Sequence, residues 1–137
     1  QDGYLFYPQG DGETTVNVEY QGKAIQIPVK VQNSDVTPKI SFTLDVMPVF
    51  MKANCNTGSC HGAARGKDGF LLSLYGFNPN DDYNNITRDF SSRRINLAFP
   101  EESLLITKGA GVVPHTGGTR FRKGEELYEI VHEWLQD

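Results

Sequence analysis

The sequence predicts a mainly α-helical module that follows an N-terminal β-hairpin extension, which makes the chain α+β overall. Apolar and polar residues alternate over 14–20 and 23–31, and a turn at Gly22 separates the two runs, so they predict antiparallel strands. A polar segment that contains proline follows and indicates a linker. We therefore divide the chain into an extension over 1–40 and a main domain over 41–137.

Four helices are predicted in the main domain from apolar residues at helical spacing, from capping residues and from prolines at helix starts. They cover residues 45–54, 81–89, 100–108 and 124–136. The apolar stripe of the last helix consists of Leu127, Ile130, Val131, Trp134 and Leu135. Residues 67–77 fit either a short strand or an irregular apolar loop, and residues 4–7 fit a further short strand.

Composition argues against two classes of function. The 137 residues carry a formal net charge of −4 and give a pI near 5.3, so nucleic-acid binding is not expected. The sequence contains no apolar run of about 18 residues, the length that crosses a membrane. It starts at Gln1, as a trimmed or mature N-terminus would, and has no signal peptide from which export can be read.

The segment NCNTGSCHG holds the two cysteines of the chain, Cys55 and Cys60, with His61 directly after the second. A disulfide between them would close a tight loop, but it would leave His61 without a role. A zinc site would need a fourth ligand, either His115 or His132. Adjacent Cys60 and His61 would also have difficulty in reaching one tetrahedral ion. These two interpretations stay open beside a third.

Covalent haem attachment explains the whole pattern, and we favour it. In c-type haem sites two cysteines bind the two vinyl groups, and the histidine after the second cysteine ligates the iron, usually as C-x2-C-H. Here the spacing is C-x4-C-H, and the small, polar residues NTGS suit a widened loop. Aromatic residues in loop-like sequence would pack on the porphyrin: Phe70, Tyr75, Phe77, Phe90, Phe99 and Phe121.

The second axial ligand is predicted to be His115, in the loop VVPHTGG. The proline before it stiffens the approach, and the two glycines after it allow the backbone to pass close to a ligand. Met47 and Met51 precede the motif too closely to reach the opposite face of the ring easily. His132 lies off the apolar stripe of the last helix. A His61/His115 pair would make the iron low-spin, with a lower potential than His/Met ligation.

Cationic side chains are needed to pair with the haem propionates. Arg93 and Arg94, which form an adjacent pair, and Arg120, which closely follows His115, are the predicted partners on grounds of charge. The predicted iron ligands are His61 and His115, and no residue is assigned a catalytic role. The predicted cofactor site therefore consists of Cys55, Cys60, His61, His115, Arg93, Arg94 and Arg120.

These residues resemble the single-haem cytochrome c modules of large exported proteins from planctomycetes and related bacteria. The similarity runs from about Ser41 to Trp134 and includes, in order, C-x4-C-H, GFLLSLYG, RRIN and VPHTGGTRF. It implies a cytochrome c-like fold, one covalent haem c on the two cysteines, His61 as proximal ligand and His115 as distal ligand. The hairpin is similar to the last two strands of the bacterial immunoglobulin-like domain that often precedes such modules, but it is too short for a complete sandwich.

The predicted function is electron transfer by an exported, periplasmic or extracellular protein, because haem is attached covalently outside the cytoplasm. One alternative is a haem enzyme or sensor with an open iron site. Another is a haem-free structural or adhesion module with a disulfide. The predicted partners are redox proteins. The exposed strand edges could also join copies of the chain into homo-oligomers or filaments by strand addition.

Overall fold

The computed structural model describes residues 6–137, apart from the side chain of Ser91. The chain divides into two compact units, the first ending at Pro38 and the second beginning at Lys39. The short strand predicted over 4–7 lies partly outside the described residues, and its other half, Phe6 and Tyr7, is not in a strand.

The first unit contains the predicted antiparallel hairpin. Strand β1 spans Gly12–Tyr20, and strand β2 spans Lys23–Val31. The two-residue turn consists of Gln21 and Gly22, whose φ angles are 49° and 74°. Positive φ at both positions makes this a type I′ turn, the turn whose twist matches that of the flanking strands. The alternation in the sequence and the turn therefore agree on one register.

The hairpin has one apolar face and one polar face, because side chains alternate along a strand. Val18 pairs with Ile25 on the apolar face, whereas Glu13 pairs with Lys30 on the polar face and forms an exposed ion pair of 2.8 Å with it. The apolar face consists mainly of Thr14, Val16, Val18, Tyr20, Ile25, Ile27, Val29 and Val31. Within residues 6–137 the sheet contains these two strands alone.

Five short α-helices make up most of the regular structure described in the second unit. They are α1 (Met47–Lys52), α2 (Pro79–Thr87), α3 (Asp89–Ser92), α4 (Leu104–Gly109) and α5 (Glu126–Gln136). A π-helical turn over Phe42–Val46 precedes α1, and 3₁₀ turns cover Leu74–Gly76 and Pro100–Glu102. The predicted helices are present, but two of them are split. The first consists of the π-helical turn and α1, and the third consists of the second 3₁₀ turn and α4.

The prediction of a mainly α, cytochrome c-like fold is wrong. The chain is a small α+β protein with a two-stranded hairpin and short helices, and only about 35% of it is helical. The long connections explain the difference, because they turn repeatedly through left-handed backbone instead of continuing a helix. Asn54, Asp68 and Tyr75 have φ between 52° and 58°, although none of them is glycine.

The apolar core of the second unit lies where α1, α4 and α5 meet the segments between them. Val46, Val49 and Phe50, on one face of the first predicted helix, are all at most 2% exposed. The other core residues are Met47, Ala53, Leu72, Ile86, Ile106, Phe121, Tyr128, Val131 and Leu135. At Gly109, in α4, a Cβ atom would overlap the Phe121 ring, so this close approach requires glycine.

A buried carboxylate anchors the connection before α2. Asp82 is fully buried and accepts hydrogen bonds from the backbone N–H of Ser73 at 2.5 Å and from the Ser73 hydroxyl at 2.6 Å. The Ser73 hydroxyl in turn accepts from the backbone N–H of Asn78.

As predicted, none of the helices in the described part of the chain combines the length and apolarity of a membrane span.

Candidate functional site

The cysteine motif leaves α1 as a tight loop held by backbone hydrogen bonds. The N–H of Cys55 donates to the Phe50 carbonyl at 2.8 Å, and the N–H of His61 donates to the Cys55 carbonyl at 3.0 Å. Asn56 is fully buried. With its amide oriented to satisfy both neighbours, it donates to the Phe50 carbonyl and accepts from the backbone N–H of Gly76. The loop therefore holds His61 in a fixed position.

Glycine is required directly after His61. At Gly62 a Cβ atom would overlap the Asn56 carbonyl, so a larger residue would displace the loop backbone. The His61 carbonyl also accepts the N–H of Leu72 at 2.9 Å, which ties the motif to the core segment beyond it. The sequence CHG thus combines a thiol, an imidazole and a close backbone contact in three successive residues.

The His61 imidazole has a defined tautomer. Its Nδ1 lies 3.1 Å from the Phe70 carbonyl oxygen, which can only accept, so Nδ1 carries the proton and Nε2 keeps a lone pair. The ring also packs on the Phe70 ring with centroids 4.6 Å apart. Burial lowers the pKa of His61 below 6.5, the Phe70 hydrogen bond partly opposes this, and nearby His115 lowers the pKa further. His61 is therefore neutral at pH 7.

His115 lies in the loop after α4 and is oriented in the same way. Its Nδ1 is 2.9 Å from the Gly118 carbonyl oxygen, so its Nε2 also keeps a lone pair. The backbone N–H of Gly118 donates back to the His115 carbonyl at 2.9 Å, and Gly118 has a φ of 72°. The Lys108 ammonium donates to the Pro114 carbonyl at 2.7 Å and ties the loop to α4.

The two imidazoles, far apart in the sequence, lie close together and parallel in the fold. Their rings are parallel to within 3°, and their centroids lie 6.2 Å apart. Rings in direct stacking contact would have atoms about 3.5–4 Å apart. A flat ligand between the two ring faces needs about 7 Å, twice a contact of about 3.5 Å, so the half-exposed His115 loop would have to move outward by at least about 1 Å to admit one.

Both imidazoles line one cavity of about 340 Å³ in the second unit. Its apolar walls consist of Phe50, Phe70, Leu72, Phe90, Leu104, Leu105 and Phe121. The cationic residues that line it are Lys67, Arg93, Arg94 and Lys108, and one acidic residue, Asp68, lines it as well. The cavity volume falls within the range of small-molecule sites, about 300–1,000 Å³.

Arg94 is built into the wall of this cavity. It is 7% exposed, and its guanidinium donates to the carbonyls of Asn85 and Gly69, both at 2.6 Å. The guanidinium carbon also lies 4.5 Å from the centroid of the Phe70 ring. Burial lowers the pKa of Arg94, although Asp89 opposes the shift. Arg93 is exposed and lines the same cavity, so it is the freer of the two predicted arginines.

Arg120, the third predicted arginine, is not among the residues that line the cavity. Its guanidinium donates to the Ala53 carbonyl at 3.3 Å and lies 3.8 Å from the Cys60 sulfur. It therefore connects the His115 loop to the cysteine motif instead of facing a ligand.

The two cysteines are free thiols, so the disulfide alternative is not realised. Cys55 lines the cavity, whereas Cys60 does not and instead approaches Arg120. Burial raises the pKa of the Cys55 thiol from 9.0 to about 11, although Arg120 opposes the shift. A thiol with such a pKa is un-ionised at neutral pH and is a poor nucleophile.

The prediction of a covalent haem c with iron is contradicted by the described residues. They contain no group of three or more His, Cys, Asp or Glu side chains that could hold a metal ion. His61 and His115 are brought together, but as a pair, and the two cysteines do not share the cavity. The zinc alternative fails for the same reason, since a structural zinc site needs four ligands.

The other candidate ligands lie elsewhere in the second unit. Met47 is buried in the core, and Met51 is exposed on α1. His132, on α5, stacks on the Tyr128 ring and lies 3.9 Å from a Glu101 carboxylate oxygen. None of these residues lines the cavity with His61 and His115.

Sequence reasoning missed part of the cavity wall. Leu104, Leu105 and Lys108 all come from α4, and Phe50 comes from the end of α1. Leu104 and Lys108 are four residues apart and share a helix face, which was the available signal.

Scans against protein-family models and searches of curated proteins and of solved structures found no match to the chain. The resemblance to cytochrome c modules therefore stays a prediction.

Proposed function

We propose that the second unit binds one planar, conjugated ligand between His61 and His115, and that the protein transfers electrons through this ligand. The observation that carries the proposal is the pair of parallel imidazoles, 6.2 Å apart, in one cavity. The two rings come from distant segments, lie parallel and line the same cavity, so a small outward movement of the His115 loop would admit one flat layer of atoms between them.

The chemistry of the walls defines the class of ligand. The apolar and aromatic side chains favour a flat, apolar body. Because the Nδ1 atoms of both histidines donate to backbone carbonyls, both Nε2 lone pairs remain free, and since they lie in the ring planes they would accept from donors at the rim of the ligand. Lys67, Arg93 and Lys108 line the cavity and are partly or fully exposed, so they would pair with anionic substituents.

Electron transfer is the use that this position favours. Phe90, which lines the cavity, is 66% exposed, and Gly69 and Arg93 beside it are exposed as well. A ligand in the cavity would therefore have one edge close to solvent, where a redox partner protein can approach. Export to the periplasm or cell exterior is part of the proposal, and its support is the family resemblance.

The test is to purify the chain from the cells that produce it and to record its absorption spectrum in oxidant and in reductant. We expect a near-visible or visible band that belongs to one ligand per chain by native mass spectrometry and changes on reduction. The His115→Ala variant should shift or lose the band, whereas His132→Ala, which changes a histidine outside the cavity, should keep it. A colourless chain of bare mass would refute the proposal.

Two other outcomes separate its parts. A bound ligand whose spectrum is the same in oxidant and reductant would support binding and contradict electron transfer. A haem mass that stays on Cys55 and Cys60 after denaturation would show covalent haem attachment, which the described residues contradict.

A further inference from the structure

The outer edges of the hairpin differ, and the type I′ turn shows how. In such a turn the C=O of the residue before the turn accepts the N–H of the residue after it, so Tyr20 and Lys23 form a hydrogen-bonded pair. Hydrogen-bonded and non-hydrogen-bonded pairs then alternate along the ladder. Thr15 and Pro28, which are partners in the register, therefore form a non-hydrogen-bonded pair. Backbone groups at such positions point outward.

The outer edge of β2 is protected against further pairing. Pro28 lies at an outward-pointing position, and it has no N–H to donate to another strand. Lys30, at the next outward-pointing position, adds a charge, and Lys23 lies at the start of the strand. Proline and lysine are the residues with which natural sheets commonly block their edges.

The outer edge of β1 has no such protection in the described chain. Its outward-pointing positions are Glu13, Thr15, Asn17 and Glu19, each with a free backbone N–H and C=O. None of them is proline or lysine, and the strand between them is rich in valine and threonine, which favour sheet structure. We call this row of backbone groups the β1 edge.

We propose that the β1 edge pairs antiparallel with the β1 edge of a second copy of this chain and joins two hairpins into a four-stranded sheet. A second copy is the partner that the asymmetry favours, because β1 can pair with β1 but not with the blocked β2 edge. Such a contact is isologous and closes at two copies. It therefore predicts a dimer, where the two strand edges alone would have suggested filaments.

Charge and the length of the paired segment together select the register of this pairing. When Asn17 lies opposite Asn17 of the second copy, Thr15 lies opposite Glu19, and Val16 lies opposite Val18. A shift by one residue along each strand, so that Val16 faces itself, would place Glu13 opposite Glu19. Like charges directly opposite are destabilising in a sheet. The favoured register avoids them and continues the apolar face across both copies. The opposite shift, with Val18 facing itself, also avoids like charges but pairs only 16–20 of each strand, where the favoured register pairs 14–20.

The experiment compares two proline variants by analytical ultracentrifugation of the full chain. Thr15→Pro removes an outward N–H from β1, and Gln26→Pro removes an outward N–H from β2, the edge that Pro28 already blocks. Both replace non-hydrogen-bonded residues within the hairpin, so they match in strain. We expect a dimer that Thr15→Pro weakens about tenfold or more, since two ladder bonds are lost per dimer, and that Gln26→Pro leaves intact.

A cysteine variant tests the register. Asn17→Cys should form a disulfide-linked dimer under mild oxidation, because Cα atoms in a hydrogen-bonded pair are about 5.5 Å apart, within the range of disulfides. Gln26→Cys, its partner on β2, should not, and peptide mapping separates these links from links through Cys55 or Cys60. Two results would overturn the proposal. One is a chain that stays monomeric at 100-fold the protein concentration at which its absorption spectrum is recorded. The other is a dimer that Thr15→Pro and Gln26→Pro weaken equally.

Discussion

Replacing His115 with alanine should weaken the binding of a planar anion without unfolding the protein. The imidazole lies parallel to the His61 ring with centroids 6.2 Å apart, in a half-exposed loop whose backbone is tied to α4 by Lys108 and closed by the Gly118 turn. Alanine keeps these backbone bonds and removes only the ring and its bond to the Gly118 carbonyl. The free energy of unfolding should therefore change by less than about 1 kcal/mol.

The expected loss of affinity follows from the contact that the ring would make. A stacked or edge contact between two aromatic rings contributes about 0.5–1.5 kcal/mol beyond its buried area. That free energy corresponds to binding weakened about 2- to 13-fold. His61→Ala should weaken binding at least as much, because His61 is held more firmly and lies deeper in the cavity wall. The double variant should show at least the larger single effect.

The assay is fluorescence titration of the recombinant chain, free of visible absorbance, with 1-pyrenesulfonate, which is planar, apolar and anionic. His132→Ala is the matched control, since His132 is the third histidine and lies outside the cavity. Equal loss of affinity in His115→Ala and His132→Ala, or no loss in either cavity variant, would refute the reasoning that the two parallel rings form the site.

Three further predictions concern titration and folding. Cys55 should react with iodoacetamide at pH 8 about 100-fold more slowly than a thiol of pKa 9.0, because burial raises its pKa to about 11. The free energy of unfolding should also fall by about 2–3 kcal/mol as pH rises from about 9 to about 11, because the unfolded thiol ionises first. A reaction rate equal to that of a thiol of pKa 9.0 would contradict this. The pKa of His61 measured by NMR should lie below 6.5. The free energy of unfolding should fall as pH decreases from about 6.5 through this lowered pKa, because the unfolded state binds the proton first. In the His61→Gln variant this pH dependence should disappear. Asp82→Asn should destabilise the fold by about 2–4 kcal/mol in urea unfolding, since the new amide cannot accept both Ser73 donors, whereas Asp81→Asn, an exposed neighbour, should cost less than about 1 kcal/mol.

The elements with strong local signals could be predicted from the sequence. Strict alternation and a Gln-Gly turn fixed the hairpin, and the apolar stripe of α5 fixed the last helix within two residues at its start. The fold class could not be predicted in the same way. It depends on connections such as the one at Tyr75, where a hydrogen bond from its N–H to the distant Asn56 carbonyl holds a non-glycine residue at positive φ.

The candidate site shows the same division. His61 and His115 were paired from the sequence by elimination among few candidates, and the structure places their rings parallel, with centroids 6.2 Å apart. The roles of the remaining residues depend on how the loops are folded. Cys60 and Arg120 contact each other outside the cavity, and the Arg94 guanidinium donates to two backbone carbonyls. Residue spacing in the sequence reveals neither arrangement.

The most direct test of the central claim is a crystal structure of the chain purified from the cells that produce it. We predict a single planar layer of electron density between His61 and His115, with an imidazole face on each side of it and with Lys67, Arg93 or Lys108 beside it. Imidazoles in direct contact, or a ligand bound anywhere other than between these two rings, would contradict the claim.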